Sequence, residues 1–295
     1  MDVNSYMHCA ICWDSLSIEI VTMAISGFIG SLSSQNTINK TQSAGNQRRF
    51  ISSLVGTSET TRTATCYSIS FCQWLAGVID GDGCLLVSKQ GYTSLEITVA
   101  LEDLRLLRII QNKLGGSIKM RSGAKAYRYR LTNREGMINL VNCVNGYIQH
   151  TTRLQQLHRV CQQLNIPVIT PFTLTSESAW FAGFFDADGT IGFYMKNERP
   201  QLSVRVTNKL YKDIEPFKSI LGGNIYFDSA QNGYYQWSIQ SKEDIQRLSG
   251  YFSHYCQSRK AQRFFLVNQY YSLVSLKAYK SDLKSWQNFQ EKWNK

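Results

Sequence analysis

Apolar and polar positions alternate most plainly at 202–207, where Val204 and Val206 stand against Ser203, Arg205 and Thr207. A period of two is the mark of a strand with one buried face. Similar runs at 84–89, 95–100, 117–121 and 126–132 come earlier, and others come later at 190–196, 224–228 and 234–240. Between the strand pairs of each set lies a helix of Leu, Ile and charge that stops at Leu-Gly-Gly, whose glycines suit a left-handed cap. A helix opens each set. The first starts at Ser70 with Gln73 three residues on, a capping-box pattern, and the second at Thr175 or Ser176 with Glu177 in its first turn. Helical segments close each set, so the predicted order is αββαββα, twice.

The duplication is visible residue by residue. LAGVIDGDG at 75–83 recurs as FAGFFDADG at 181–189, with Asp188 106 positions after Asp82. KLGGSI at 113–118 recurs as ILGGNI at 220–225, and Arg153 and Arg259 open matching helical segments. Three landmarks in one order at nearly one offset predict an α+β fold of two tandem repeats, at 67–168 and 169–275. Residues 1–66, rich in Ser, Thr, Asn and Gln, read as a poorly ordered leader or upstream extension. Residues 276–295 read as a basic C-terminal helical extension.

Charge narrows the class of partner. The chain of 295 residues carries a formal +11, yet within 1–70 four basic residues (Lys40, Arg48, Arg49, Arg62) cancel four acids (Asp2, Asp14, Glu19, Glu59). The excess therefore sits on the two repeats and the C-terminal extension, and a basic folded region favours a polyanion. Ribosomal and membrane-surface proteins share that balance. Eight cysteines without regular spacing and no secretory signal argue against a disulfide framework. The cluster His8, Cys9 and Cys12 lacks the second pair that zinc needs. The uncharged stretch 20–39 is too polar in its second half for a spanning helix, so no membrane association is expected.

The polar strand faces say more. Tyr127, Tyr129 and Leu131 oppose Arg128, Arg130 and Thr132, and Gln236, Ser238 and Gln240 line the matching strand. A solvated sheet face would read the same. That Arg, Gln, Thr and Ser recur in both copies points to base edges and phosphates in a major groove. The DNA-contact set on this reading is Lys89, Thr98, Lys119, Arg121, Arg128, Arg130 and Thr132, then Tyr194, Lys196, Ser203, Arg205, Thr207, Gln236, Ser238 and Gln240.

The two Asp motifs carry the chemistry. Acids at a helix C-terminus oppose its dipole, and the same local error in both copies implies a compensating cation with oxygen ligands. Ala76–Gly77 and Ala182–Gly183 are small enough for the two helices to pack backbone to backbone, bringing Asp82 and Asp188 together over shared metal. Asp80 and Asp186 are then left to local turn bonding.

LAGVIDGDG and FAGFFDADG closely resemble the signature of the LAGLIDADG homing endonucleases, over residues 70 to 275. The resemblance implies a pseudo-two-fold saddle with antiparallel DNA-binding sheets, and metal held by Asp82 and Asp188 with the Gly81 and Ala187 carbonyls. It implies Mg²⁺-dependent hydrolysis of one phosphodiester per strand of double-stranded DNA, leaving 3′ overhangs, with Mn²⁺ as a substitute and Ca²⁺ binding without cleavage. Two motifs in one chain resemble the monomeric members, whose long targets need not be palindromic. The family's polar residue after the second strand matches Asn208; the first copy has Leu101 there, beside Glu102, so the strands are expected to be cut at unequal rates. Its basic residue matches Lys260 or Arg259, and Arg153 in the first half.

An RNA-binding maturase that assists splicing of its own intron keeps the same fold and stands as the alternative, with intron RNA as partner. An intein would need splice residues that the chain lacks at its ends, and a transcription factor on this fold would ordinarily lose one acid. The resemblance further implies an intron in an organellar gene, mitochondrial rather than chloroplast.

Overall fold

A computed structural model describes residues 67–229 and 233–294. The sequence features placed in 1–66, namely the leader, the His8, Cys9, Cys12 cluster and the stretch 20–39, lie outside the described residues. The first repeat runs α1 (Ile69–Asp82), β1 (Gly83–Val87), β2 (Thr93–Ala100), a 3-10 turn (Leu101–Asp103), α2 (Leu104–Leu114), β3 (Ser117–Met120), β4 (Ala126–Leu131), α3 (Arg134–Val144) and α4 (Thr151–Leu164). The second runs α5 (Trp180–Asp188), β5 (Gly189–Lys196), β6 (Arg199–Asn208), α6 (Tyr211–Leu221), β7 (Asn224–Asp228), β8 (Tyr234–Ile239), α7 (Lys242–Tyr255) and α8 (Lys260–Phe265). Each repeat forms one antiparallel four-stranded sheet, ordered β1-β2-β4-β3 and β5-β6-β8-β7. The fold is α+β with two αββαββα repeats.

The motif helices pack against each other because neither Gly77 nor Gly183 carries a side chain. A Cβ on Gly77 would collide with the carbonyl oxygen of Trp180, and one on Gly183 with that of Trp74. Ala76 and Ala182 are buried; Ala182 turns to α7, where its N–H donates to the Tyr251 hydroxyl at 3.3 Å. Apolar strand positions Leu95, Ile97, Tyr129, Leu131, Val204, Val206 and Trp237 face the helices and are buried.

The helix starts differ from the capping-box reading. Ser68, not Ser70, caps α1, its hydroxyl accepting from Phe71 N at 3.2 Å. Gln73 reaches out of its own helix to accept from Ala179 N at 3.0 Å, the start of α5. Thr175 donates its N–H to the Ser178 hydroxyl in a turn ahead of α5, so the second motif helix begins five residues later than Thr175, at Trp180.

Beyond α8 the chain forms α9 (Val267–Ser275), α10 (Ala278–Ser281) and α11 (Leu283–Asn294). Trp286, Phe289 and Trp293 of α11 meet Phe193 of β5 with ring centroids 5.4–5.9 Å apart. This segment is an aromatic wedge on the second sheet as much as a basic tail. Among the described residues no helix is long and apolar enough to cross a membrane.

Candidate metal and DNA-binding site

α1 and α5 end side by side. A Cβ on Gly81 would collide with that of Ala187 and stand 3.4 Å from Asp188 Oδ2, so the last residues of the two motifs meet. Asp82 and Asp188 are half-buried, and among the described residues neither carboxylate receives a hydrogen bond. Burial raises both carboxyl pKa values; Asp188 pushes Asp82 up further, while Lys260 and Arg153 pull both down. Two adjacent, poorly solvated carboxylates without a donor are a site that a hard divalent cation would neutralise, so the donor chemistry fits such an ion. No group of three or more His, Cys, Asp and Glu able to hold a metal exists among the described residues. Among the described residues the site thus offers two acids, and further oxygens for an ion would come from carbonyls or from bound phosphate and water.

The other Asp of each motif is buried and does something else. Asp80 Oδ2 accepts from Trp180 Nε1 at 2.7 Å and Gln149 N at 2.8 Å. Asp186 Oδ2 accepts from Trp74 Nε1 at 2.8 Å and Gln257 N at 2.7 Å, and its Oδ1 from Ser258 N at 3.0 Å. These are bonds across the helix pair and to the segments just ahead of α4 and α8, not the local turn bonds expected from sequence. The sequence signal was present: Trp74 and Trp180 stand at the same offset as the Asp residues.

A basic side chain closes each motif helix. Arg153 Nε and Nη2 donate to the carbonyls of Ile79 at 3.3 Å and Gly81 at 3.4 Å. Lys260 Nζ donates to those of Phe185 at 3.3 Å, Asp186 at 2.9 Å and Ala187 at 2.8 Å. Cations here complement the negative helix end. The Gly81 and Ala187 carbonyls, the candidate backbone ligands, therefore already accept one hydrogen bond each and keep a second lone pair. Lys260, not Arg259, is the counterpart of Arg153. The Arg259 guanidinium is turned away from the site and donates to the Asn294 carbonyl.

Asn208 is bonded rather than free. Its Nδ2 lies 3.0 Å from His150 Nε2, and its Oδ1 accepts from Leu210 N at 3.0 Å. Its register mate is not Leu101. Asn208 faces Tyr235 as Val99 faces Tyr127, while Gly83 faces Ile97 and Gly189 faces Val206. The outward residues one step past Ile97 and Val206 are Thr98 and Thr207, a hydroxyl in each half. Asn208 itself comes two residues after the core-facing Val206 and ends the strand, which frees its amide for His150.

On the outward sheet faces, Thr98, Arg128 and Lys119 form one row across three strands, and Thr207 and Gln236 another. Arg128 and Arg130 both pair with Glu96, the former at 3.5 Å, so part of the basic face is neutralised by an acid that the alternation of residue types did not single out. Glu96 alternates with Leu95 and Ile97 and was readable as a member of that face. Arg205 is only half-buried, with its Nε buried and unpaired. Ser203 and Ser238 are 0% and 4% exposed, so neither presents its hydroxyl to a duplex as the sequence reading expects. Lys89 sits in the β1–β2 turn, Arg121 and Thr132 just past strand ends, Tyr194 and Lys196 on the exposed end of β5, and Gln240 bonds Gln201 at 2.9 Å.

A model of the LAGLIDADG endonuclease family matches residues 75–164 and 181–271. The chain belongs to this family. Among family relatives, a probable intron-encoded endonuclease of Debaryomyces hansenii is 46% identical over 298 residues, covering 85% of this chain and 45% of that protein. An intron-encoded RNA maturase of Saccharomyces cerevisiae is 50% identical over 237 residues, 77% of this chain and 37% of that protein. The chain thus spans less than half the length of these two relatives. An intron-encoded DNA endonuclease of Dictyostelium discoideum is 32% identical, over 75% of this chain and 74% of that one. In fold the chain is similar to I-SmaMI bound to an uncleaved DNA target in the presence of calcium ions, at 18% identity and a TM-score of 0.56 over 76% of this chain and 97% of that one. The homing endonuclease I-GzeII in complex with its DNA target gives 0.55 at 15% identity, over 75% and 96%.

Proposed function

We propose that this LAGLIDADG protein is a site-specific, Mg²⁺-dependent endonuclease that cuts both strands of a long asymmetric DNA target, leaves 3′ overhangs and so initiates homing of its intron. The reading rests on one observation above the others: two unbonded carboxylates, Asp82 and Asp188, at abutting helix ends, each end closed by one cation. Asp82 and Asp188 would hold the metal, with the Gly81 and Ala187 carbonyls as further oxygens. When bound, such an ion supplies a nucleophile at neutral pH and offsets phosphoryl charge. Arg153 and Lys260 fix the helix ends and reduce the repulsion between the acids. The outward rows with Arg128, Lys119, Thr98, Thr207 and Gln236 would hold the duplex, and a single chain carrying both motifs would act as a monomer.

The test is cleavage of a duplex selected from a randomised library. Double-strand breaks with Mg²⁺ or Mn²⁺, and binding without cutting in Ca²⁺, are expected. Binding with no break in any divalent metal would overturn the reading.

A second reading is favoured by the S. cerevisiae relative, which is named an RNA maturase. On it, the chain assists splicing of its own intron RNA, and Asp82→Asn would leave splicing intact while abolishing DNA cleavage. An organellar, mitochondrial setting is supported by the intron-encoded relatives, one of which is named for an intron of cox1 in Schizosaccharomyces pombe.

A further inference from the structure

The helices that carry Arg153 and Lys260 are each tied down from the opposite repeat. Asp213, in the first turn of α6, accepts through Oδ1 from Thr151 N at 3.0 Å and from the Thr151 hydroxyl at 2.7 Å, at the start of α4. Asp103, just ahead of α2, accepts through Oδ1 from Arg259 N at 2.6 Å, at the start of α8. A carboxylate at a helix N-terminus satisfies orphan donors and complements the dipole. Arg153 comes two residues after Thr151, and Lys260 one after Arg259. The two ties differ in depth. Asp213 is buried, and its Oδ2 stands 3.2 Å from His150 Nε2, which Asn208 also meets. Asp103 is half-buried and lines a cavity of about 520 Å³.

We propose that Asp213 and Asp103 are positioning residues for strand cleavage, each fixing across the repeat boundary the helix that carries the other repeat's closing cation. Neither touches the Asp82 and Asp188 carboxylates through a hydrogen bond; each acts through the start of a helix. The two half-sites are thereby interlocked, and the first repeat's half-site depends on the deeper tie. This rests on the endonuclease reading for its consequence in strand cleavage, but the tie itself is measurable without DNA.

Hydrogen exchange on the full chain reads the tie. Asp213→Ala should raise exchange in the segment 149–153 and leave 257–261 as in wild type, and Asp103→Ala should do the reverse. Asp213→Asn, which keeps an acceptor for Thr151, should restore protection at 149–153 and guards against a variant that merely unfolds. On labelled duplex, Asp213→Ala should slow one strand about tenfold, the strand that Arg153→Gln also slows, with DNA affinity unchanged. Asp103→Ala should share its strand bias with Lys260→Met. Exchange rising in both segments together, or in neither, would overturn the proposal whether or not the protein cuts DNA. Exchange as expected with both strands slowed equally would overturn the positioning role and leave the endonuclease reading standing. A wild type that cuts nothing would sink that reading, and with it the role in cleavage.

Discussion

Trp74 donates its indole N–H to Asp186 Oδ2 at 2.8 Å, from the first motif helix to the second. Trp180 and Asp80 make the same bond in the other direction at 2.7 Å. The first Asp of each motif is therefore a brace for the helix pair, while the second makes no hydrogen bond among the described residues and is the proposed metal ligand. Trp74→Phe removes a buried hydrogen bond to a carboxylate and should cost about 2 kcal/mol of unfolding free energy, mostly from that bond. Urea denaturation measures it; an unchanged midpoint and slope would show that no such brace operates.

The brace also makes stability depend on pH. Burial raises the Asp80 pKa from 3.8 to about 7, against opposing hydrogen bonds from Gln149 and Trp180, and burial raises Asp186 as well. The folded state then holds these protons more tightly than the unfolded chain. For Asp80 the stabilising effect is complete below pH about 4 and is lost as the pH rises through about 7, and Asp186 adds to the fall in the same direction. Unfolding free energy should fall across that window, and Asp80→Asn, which cannot ionise, should flatten the fall. A wild-type curve that rises with pH there, unaltered in Asp80→Asn, would contradict the sign.

Contact between the motif helices leaves no room for a methyl group. Gly183→Ala drives its Cβ into the Trp74 carbonyl and Gly77→Ala into that of Trp180, and backbone cannot swing aside as a side chain does. Each should cost at least about 2 kcal/mol and separate Asp82 from Asp188, so metal affinity should fall with stability. A stable Gly183→Ala protein with wild-type metal binding would show that the close approach is dispensable.

The two Asp motifs, the repeats and the order of helices and strands along the chain were legible in the sequence because periodicity and duplication are local properties. What failed were pairings set by tertiary structure. Leu101 was matched to Asn208 on a constant offset. The β5–β6 hairpin, turning at Asn197 and Glu198 in left-handed backbone, is three residues longer than its counterpart, and the sheet register makes Val99 the true mate. Asp213, His150 and Asp103 carry no motif, and their contacts arise only where the repeats meet. Arg259 and Lys260 are adjacent in sequence, and only the start of α8 decides which one faces the helix end.

The most direct test of Asp82 and Asp188 as the metal site is Mg²⁺-dependent cleavage measured beside DNA affinity for wild type, Asp82→Asn and Asp188→Asn across pH 6 to 8. On the proposed assignment Mg²⁺ would have to displace the protons that burial favours on this pair, so the Mg²⁺ requirement of wild type should fall as pH rises. Each substitution should abolish double-strand cleavage and leave DNA affinity within a few-fold of wild type. Retained double-strand cleavage in either variant, or loss of DNA affinity alone, would contradict the assignment of Asp82 and Asp188 as the metal site.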